Sequence, residues 1–268
     1  MKIKFNGQIV DTSFESSLEF FIHHSKDEND VWIVNGFATK MNEKLKENDE
    51  LFCIPRNTLP PKEALDSMMR ARHTPRLHEK LKKGSVAVCG LGGLGSHIAI
   101  MLARSGVGRL RLIDFDVVEP SNLNRQSYMV EDLGKFKTEA LKSQIEKINP
   151  FIEVCIHTLK IDEENIKDLF VGDAIVCEAF DSAIAKAILI KNLHKFFKDT
   201  ILICGSGLAG YGDSNSIQTR KIANNFYMCG DLKSEAKVGR GLMAPRVNIC
   251  AGHQANLVLE LLAEAYEK

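Results

Sequence analysis

Two kinds of pattern divide the chain. Up to residue 56, apolar positions recur at the two-residue spacing of half-buried strands. Lys2-Ile3-Lys4-Phe5 alternates, Asn6-Gly7 is a hairpin signal, and Gln8-Ile9-Val10 resumes the run. Residues 17–24 suit a short helix, Val31-Trp32-Ile33-Val34 leads into Asn35-Gly36, and Glu50-Leu51-Phe52-Cys53-Ile54 closes the region. A hairpin, a helix and further strands over so short a stretch predict a small β-grasp unit, with Trp32 in its core. Pro55, Pro60 and Pro61 then break any regular element and read as a linker.

Residues 62–83 are charged and helix-prone, with a break at Thr74-Pro75; His73 and His78 are read on that helix. From Ser85 the period switches repeatedly between strand and helix. Strands are predicted at 86–89, 110–113, 152–156, 174–177 and 201–203, and helices at 94–105, 135–148 and 183–197. Repeated βα units of this length imply a mostly parallel sheet with helices on both faces. Residues 205–241 are rich in Gly, Ser and Asn and lack sustained periodicity, and a last helix is predicted over 248–266. The chain thus divides into a β-grasp domain at 1–56, a linker and helix at 57–83, and an α/β domain at 84–268.

Composition narrows the classes. The 268 residues carry 35 Lys+Arg and 35 Asp+Glu, so a basic nucleic-acid surface is not expected. No stretch approaches the roughly 18 apolar residues of a membrane span. Met1–Gly7 lacks the apolar core of a signal peptide, and a cytoplasmic location is expected. Seven scattered cysteines with no Cys-x-x-Cys pair fit reduced thiols, with neither a disulfide framework nor structural zinc expected.

Candidate chemistry starts at Gly90-Leu91-Gly92-Gly93-Leu94-Gly95, which follows a predicted strand and opens a helix. There the glycines allow a tight turn, and backbone N–H groups can approach a phosphate at the positive helix end. Asp114 ends the next strand, where an acidic residue can accept hydrogen bonds from ribose hydroxyls. The loop alone fits an NAD-dependent oxidoreductase equally well. The segment from Asp114 onward does not: Asp114-Phe115-Asp116-Val117-Val118-Glu119-Pro120-Ser121-Asn122-Leu123-Asn124-Arg125-Gln126, then Gly134-Lys135-Phe136-Lys137. Carboxylates, amides, a guanidinium and ammonium groups past a strand end suit charge stabilisation on a splitting phosphate chain.

Together with Ile148-Asn149-Pro150, these runs resemble the ThiF/MoeB/HesA family, relatives of ubiquitin-activating enzymes. The pattern G-x-G-G-L-G, D-F-D-x-V-x-x-S-N-L-x-R-Q, G-x-x-K and I-N-P is almost complete. The resemblance implies a Rossmann-like domain that uses ATP and Mg²⁺ to adenylate the C-terminal Gly-Gly of a small β-grasp carrier protein. It implies nucleotide contacts from Gly90, Gly92, Gly93, Leu94, Gly95, Asp114, Asp116 and Asn122, with Arg125 and Lys137 on the phosphates. Asp181, in Phe180-Asp181-Ser182 where relatives read Thr-Asp, would be the metal-side carboxylate, with helix capping as its competing role.

The same resemblance implies other features. A homodimer is expected, with Arg70, Arg72 or Arg76 reaching the neighbouring site, Arg72 favoured. Cys229 is the candidate for a mobile catalytic thiol, while Cys204 and Cys250 read as structural. The N-terminal region resembles ThiS-type sulfur carriers, yet Ile54-Pro55-Arg56-Asn57 leads into the linker with no Gly-Gly and no free carboxylate. A non-substrate role for it is expected, with a separate ThiS-like carrier as partner and thiamine thiazole synthesis as the pathway. The alternatives within the family are a molybdopterin-type carrier and a tRNA-modifying dehydratase.

Overall fold

The computed structural model describes residues 1–56 and 58–265. Asn57, where the linker was expected to start, and Tyr266, the expected end of the last helix, lie outside the described residues. The chain forms two compact units, Met1–Glu79 and Lys80–Lys268.

In the first unit, strands β1 (Lys2–Phe5), β2 (Gln8–Asp11), β3 (Val31–Val34), β4 (Phe37–Ala38) and β5 (Glu50–Ile54) form one sheet in the order β2-β1-β5-β3-β4. β1 and β5 pair in parallel at its centre, and the remaining pairs are antiparallel. This is the β-grasp arrangement, with helix α1 (Ser17–His24) between β2 and β3. Ser16 caps α1 by accepting from the Glu19 amide. Under α1, Ile3, Phe20, Phe21, Leu51 and Cys53 form the core. Trp32 lies against that core, stacked on Phe21 at 5.1 Å.

The opposite face, Ile33 and Phe52, packs on Ala71 beyond helix α2 (Lys62–Met69). The 62–83 helix divides more widely than expected: α2 ends at Met69 and α3 (Leu77–Lys82) begins after a turn. Thr74 and Arg76 sit at φ +66° and +77° in that turn, so His73 and His78 do not share a helix.

In the second unit, seven strands run β11-β12-β10-β9-β6-β7-β8. They are β6 (Ser85–Cys89), β7 (Arg109–Ile113), β8 (Glu153–His157), β9 (Ile175–Glu178), β10 (Ile201–Gly205), β11 (Gln218–Ala223) and β12 (Phe226–Gly230). All pairs are parallel except β11–β12. Helices α4 (Gly93–Arg104), α5 (Lys137–Ile148) and α8 (Ala244–Glu264) cover one face; α6 (Ile166–Leu169) and α7 (Ala183–Phe196) cover the other. The chain leaves β6 to build β7 and β8 on one side, then returns to lay β9 and β10 on the other. The carboxyl edge between β6 and β9 is therefore the reversal point where open α/β sheets bind ligands.

Helix α8 starts at Ala244, four residues before the expected start, because Pro245 is tolerated in a first turn. Arg246 in that turn holds the preceding loops, donating to the Asp213 carbonyl (2.9 Å), Ser216 Oγ (3.0 Å) and Asp231 Oδ2 (2.6 Å). Burial opposes the charge on Asp231. Hydrogen bonds from the Ser234 side chain, the Lys233 and Ser234 amides and Arg246 outweigh burial and hold its pKa at about 2. A carboxyl depressed in the folded state contributes in full above its ordinary value of 3.8 and loses that contribution as pH falls toward 2. Asp231→Asn should therefore remove about 2 kcal/mol at pH 6 and flatten the fall in stability between pH 4 and 2, read by denaturant titration. Among the described residues, no helix is long and apolar enough to cross a membrane.

Candidate functional site

The glycine loop leaves β6 at the reversal point. Gly90 sits at φ +86°, and a β-carbon there would lie 2.9 Å from the Ala179 carbonyl oxygen and 3.0 Å from Phe180 Cδ1. Helix α4 opens at Gly93 with no side-chain cap at Gly92, leaving its first amides without a side-chain acceptor at this end. The Tyr128 hydroxyl donates to the Leu91 carbonyl (2.8 Å) and pins the outer turn of the loop.

Asp114 follows β7, 8% exposed. Its Oδ2 accepts from the Leu91 amide (2.6 Å) and its Oδ1 from the Asp116 amide (2.9 Å). Desolvation raises its pKa against those two hydrogen bonds and the Lys137 charge. The carboxylate thus fixes the glycine loop and retains lone pairs for further donors. Asp116 and Lys137 meet twice: the Lys137 ammonium donates to Asp116 Oδ2 (2.9 Å), and its amide to the Asp116 carbonyl (2.9 Å). Lys137 is 6% exposed at the first position of α5, whose start two residues after the expected one follows from an extended Phe136.

Arg125 lies along the loop, its Cγ 3.8 Å from the position a β-carbon would take on Gly93. The His97 ring holds its carbonyl (3.1 Å). The guanidinium donates to the Ser121 carbonyl and Asn124 Oδ1, and its buried Nε has no partner. Asn122 is buried and caps a short turn, its Oδ1 accepting from the Glu119 amide (3.0 Å). Asp181 is exposed beside Phe180 at the loop's other wall. It does not cap α7; Ser182 does, accepting from the Ala185 amide. Sequence reasoning missed the ion pair of buried Glu178 with partly exposed Lys186 beneath this wall, whose only signal is a carboxylate ending an apolar strand.

The structure corrects the reading of Cys229. It is not on a mobile loop but 0% exposed in β12, opposite Gly205 of β10, and burial raises its pKa. Cys204 and Cys250 are also 0% exposed. Cys155 is the one cysteine of the seven that is partly exposed. A maleimide should therefore label Cys155 first in the native protein and Cys229 only after denaturation, read by peptide mass mapping.

Comparison with known proteins shows the family and the fold. The ThiF family pattern matches residues 66–268, and a ThiS-like ubiquitin pattern matches residues 1–57. The chain belongs to the ThiF family. It is 38% identical over 147 residues to the tRNA threonylcarbamoyladenosine dehydratase of Bacillus subtilis (strain 168), which is 54% of this chain and 57% of that protein. It is 31% identical over 189 residues to the molybdopterin-synthase adenylyltransferase of Salmonella typhimurium (strain LT2), covering 69% of this chain and 75% of the relative. With the probable adenylyltransferase/sulfurtransferase MoeZ of Mycobacterium tuberculosis it shares 39% over 105 residues. It thus spans 57% of the Bacillus relative and 27% of MoeZ. In fold it is similar to the E. coli dehydratase TcdA in complex with ATP, at TM-score 0.69 and 21% identity, covering 79% of this chain and 100% of that one.

Proposed function

We propose that this ThiF-family chain uses ATP to adenylate a carboxylate, and that its substrate is the C-terminal Gly-Gly of a ThiS-like sulfur carrier in thiazole synthesis. The observation that supports the reading is the buried Lys137 ammonium held on Asp116, next to an Asp114 carboxylate that accepts from the Leu91 amide of the glycine loop, with the Arg125 stem beside Gly93. In the reaction, a carboxylate oxygen bonds to the α-phosphorus while the α–β phosphoanhydride bond breaks and pyrophosphate leaves. Negative charge grows on the α-phosphoryl oxygens and the leaving group, so cations held in place beforehand lower the barrier. Lys137 and Arg125 supply them, the loop amides hold phosphate, and Asp114 accepts from the ribose.

Asp181 fits Mg²⁺ only as part of MgATP. Among the described residues no group of three His, Cys, Asp or Glu can hold a metal, and one exposed carboxylate with phosphate oxygens and water meets the ion's preference. A nucleotide-bound Mg²⁺ would neutralise phosphate charge there.

The ThiS-like first unit favours a carrier partner. That unit lacks a Gly-Gly end, so the carrier is a separate chain. A homodimer, with Arg72 reaching the neighbouring site, completes the reading; Arg70 is already paired with Glu79 at 3.4 Å. A second reading, dehydration of a threonylcarbamoyl group on tRNA, is favoured by the identity to the dehydratases and uses the same activation of a carboxylate. The test mixes the protein with MgATP and either a ThiS-like carrier or the modified tRNA. An AMP-sized mass increase on the carrier, with carrier-dependent pyrophosphate exchange, supports the first reading. Loss of water from the tRNA with an unmodified carrier replaces it by the second.

A further inference from the structure

Below the wall of the site, Glu178 ends β9 and is 0% exposed. In its sheet row stand Cys89 of β6 and Cys204 of β10, thiols whose pKa values burial raises. Its Oε1 accepts from the Phe180 amide (2.8 Å) and its Oε2 from the Lys186 ammonium (2.5 Å). Lys186 also donates to the Gly205 carbonyl (2.6 Å), so one ammonium ties the carboxyl ends of β9 and β10 to α7. Stability alone does not call for such a pair. Withdrawing the Glu178 carboxylate fully from water carries a desolvation cost that an apolar side chain of similar volume would not, and this row already holds two thiols.

The tie closes residues 179–182 at both ends. Glu178 fixes the entry, Lys186 lies one turn into the exit helix, and Ser182 caps that helix. Phe180 presses on Gly90 on the inner side. Asp181, next in the chain, has no hydrogen bond or ion pair of its own among the described residues. Its direction comes only from the loop that carries it.

We infer that Lys186 is a positioning residue: by joining Glu178 to the Gly205 carbonyl it sets the 179–182 loop so that Asp181 faces the nucleotide bound at Gly90–Gly95. The inference rests on the adenylation reading and adds to it a part of the machinery that touches no substrate.

The test is carrier-dependent pyrophosphate exchange by the full chain. Lys186→Met should lower kcat by about 10²-fold with KM for ATP little changed, the size expected when a reacting group is misplaced by about 1 Å. Lys186→Arg, which keeps the charge and both donors, should return the rate to within about threefold. In an Asp181→Asn background, Lys186→Met should add less than about twofold, since residues acting as one unit are not additive. If Lys186→Met does not fold, the neutral pair Glu178→Gln/Lys186→Met is read instead and should show the same loss. A wild-type rate in either variant, or losses that multiply with Asp181→Asn, overturns the inference. Absence of carrier-dependent exchange by the wild-type protein overturns the carrier-adenylation reading itself.

Discussion

Lys137→Met should reduce carrier-dependent pyrophosphate exchange by about 10²–10³-fold, the loss typical of removing one preorganised donor from a charge-developing site. Methionine keeps the buried stem and removes only the ammonium. Its partner Asp116 has a side chain 48% exposed, so water replaces the lost bond there. The pair contributes at most about 1 kcal/mol to folding. Melting temperature should therefore stay within a few degrees of wild type while the rate collapses. Lys137→Arg should recover part of the rate, because the charge is restored with a different reach. Exchange at the wild-type rate in Lys137→Met would remove this lysine from the site and with it the main support for adenylation.

Much of the fold was legible because its elements announce themselves locally. Asn6-Gly7 takes the left-handed pair of angles that a tight hairpin needs, φ +48° and +87°. Residues 17–24 form the helix their spacing predicts, and β6, β7, β8, β9 and β10 lie within two residues of their predicted runs. The glycine loop and the Asp114–Arg125 run were legible for the same reason, being contiguous.

What escaped depends on partners distant in sequence. β11 is an exposed edge strand, paired only through Gln218 to Gly230 and its neighbours, so its residues show no inward-facing stripe. Cys229 took its burial from β10 and α8, neither readable from its own surroundings. Asp181 and Ser182 are both good helix caps, and only the place where α7 begins decides between them. Asn122 is an amide in a motif, yet its carbonyl oxygen is already spent on the Glu119 amide, leaving only its NH₂ for a ligand.

Two glycines of the loop should separate structure from binding. At Gly95 an added β-carbon would lie 1.8 Å from the Gly90 carbonyl oxygen and 2.9 Å from its carbon. Both are backbone atoms, which no rotamer change can move. Gly95→Ala must push helix α4 off the end of β6 at a cost of about 3 kcal/mol or more, and should lower the melting temperature sharply with or without ATP. At Gly92 the nearest atom to such a carbon is Gln126 Nε2 at 3.9 Å, so the loop has room for it. Gly92→Ala should fold at a cost of about 1 kcal/mol or less. On the adenylation reading the methyl would stand where phosphate approaches the loop amides, so ATP affinity should fall by at least about tenfold, read by calorimetry. The pair is informative because the expected failures differ in kind: Gly95 is required by helix-to-strand contact whatever the ligand, Gly92 only by a ligand. A Gly92→Ala protein that binds ATP as tightly as wild type would mean that the phosphates do not lie on this loop.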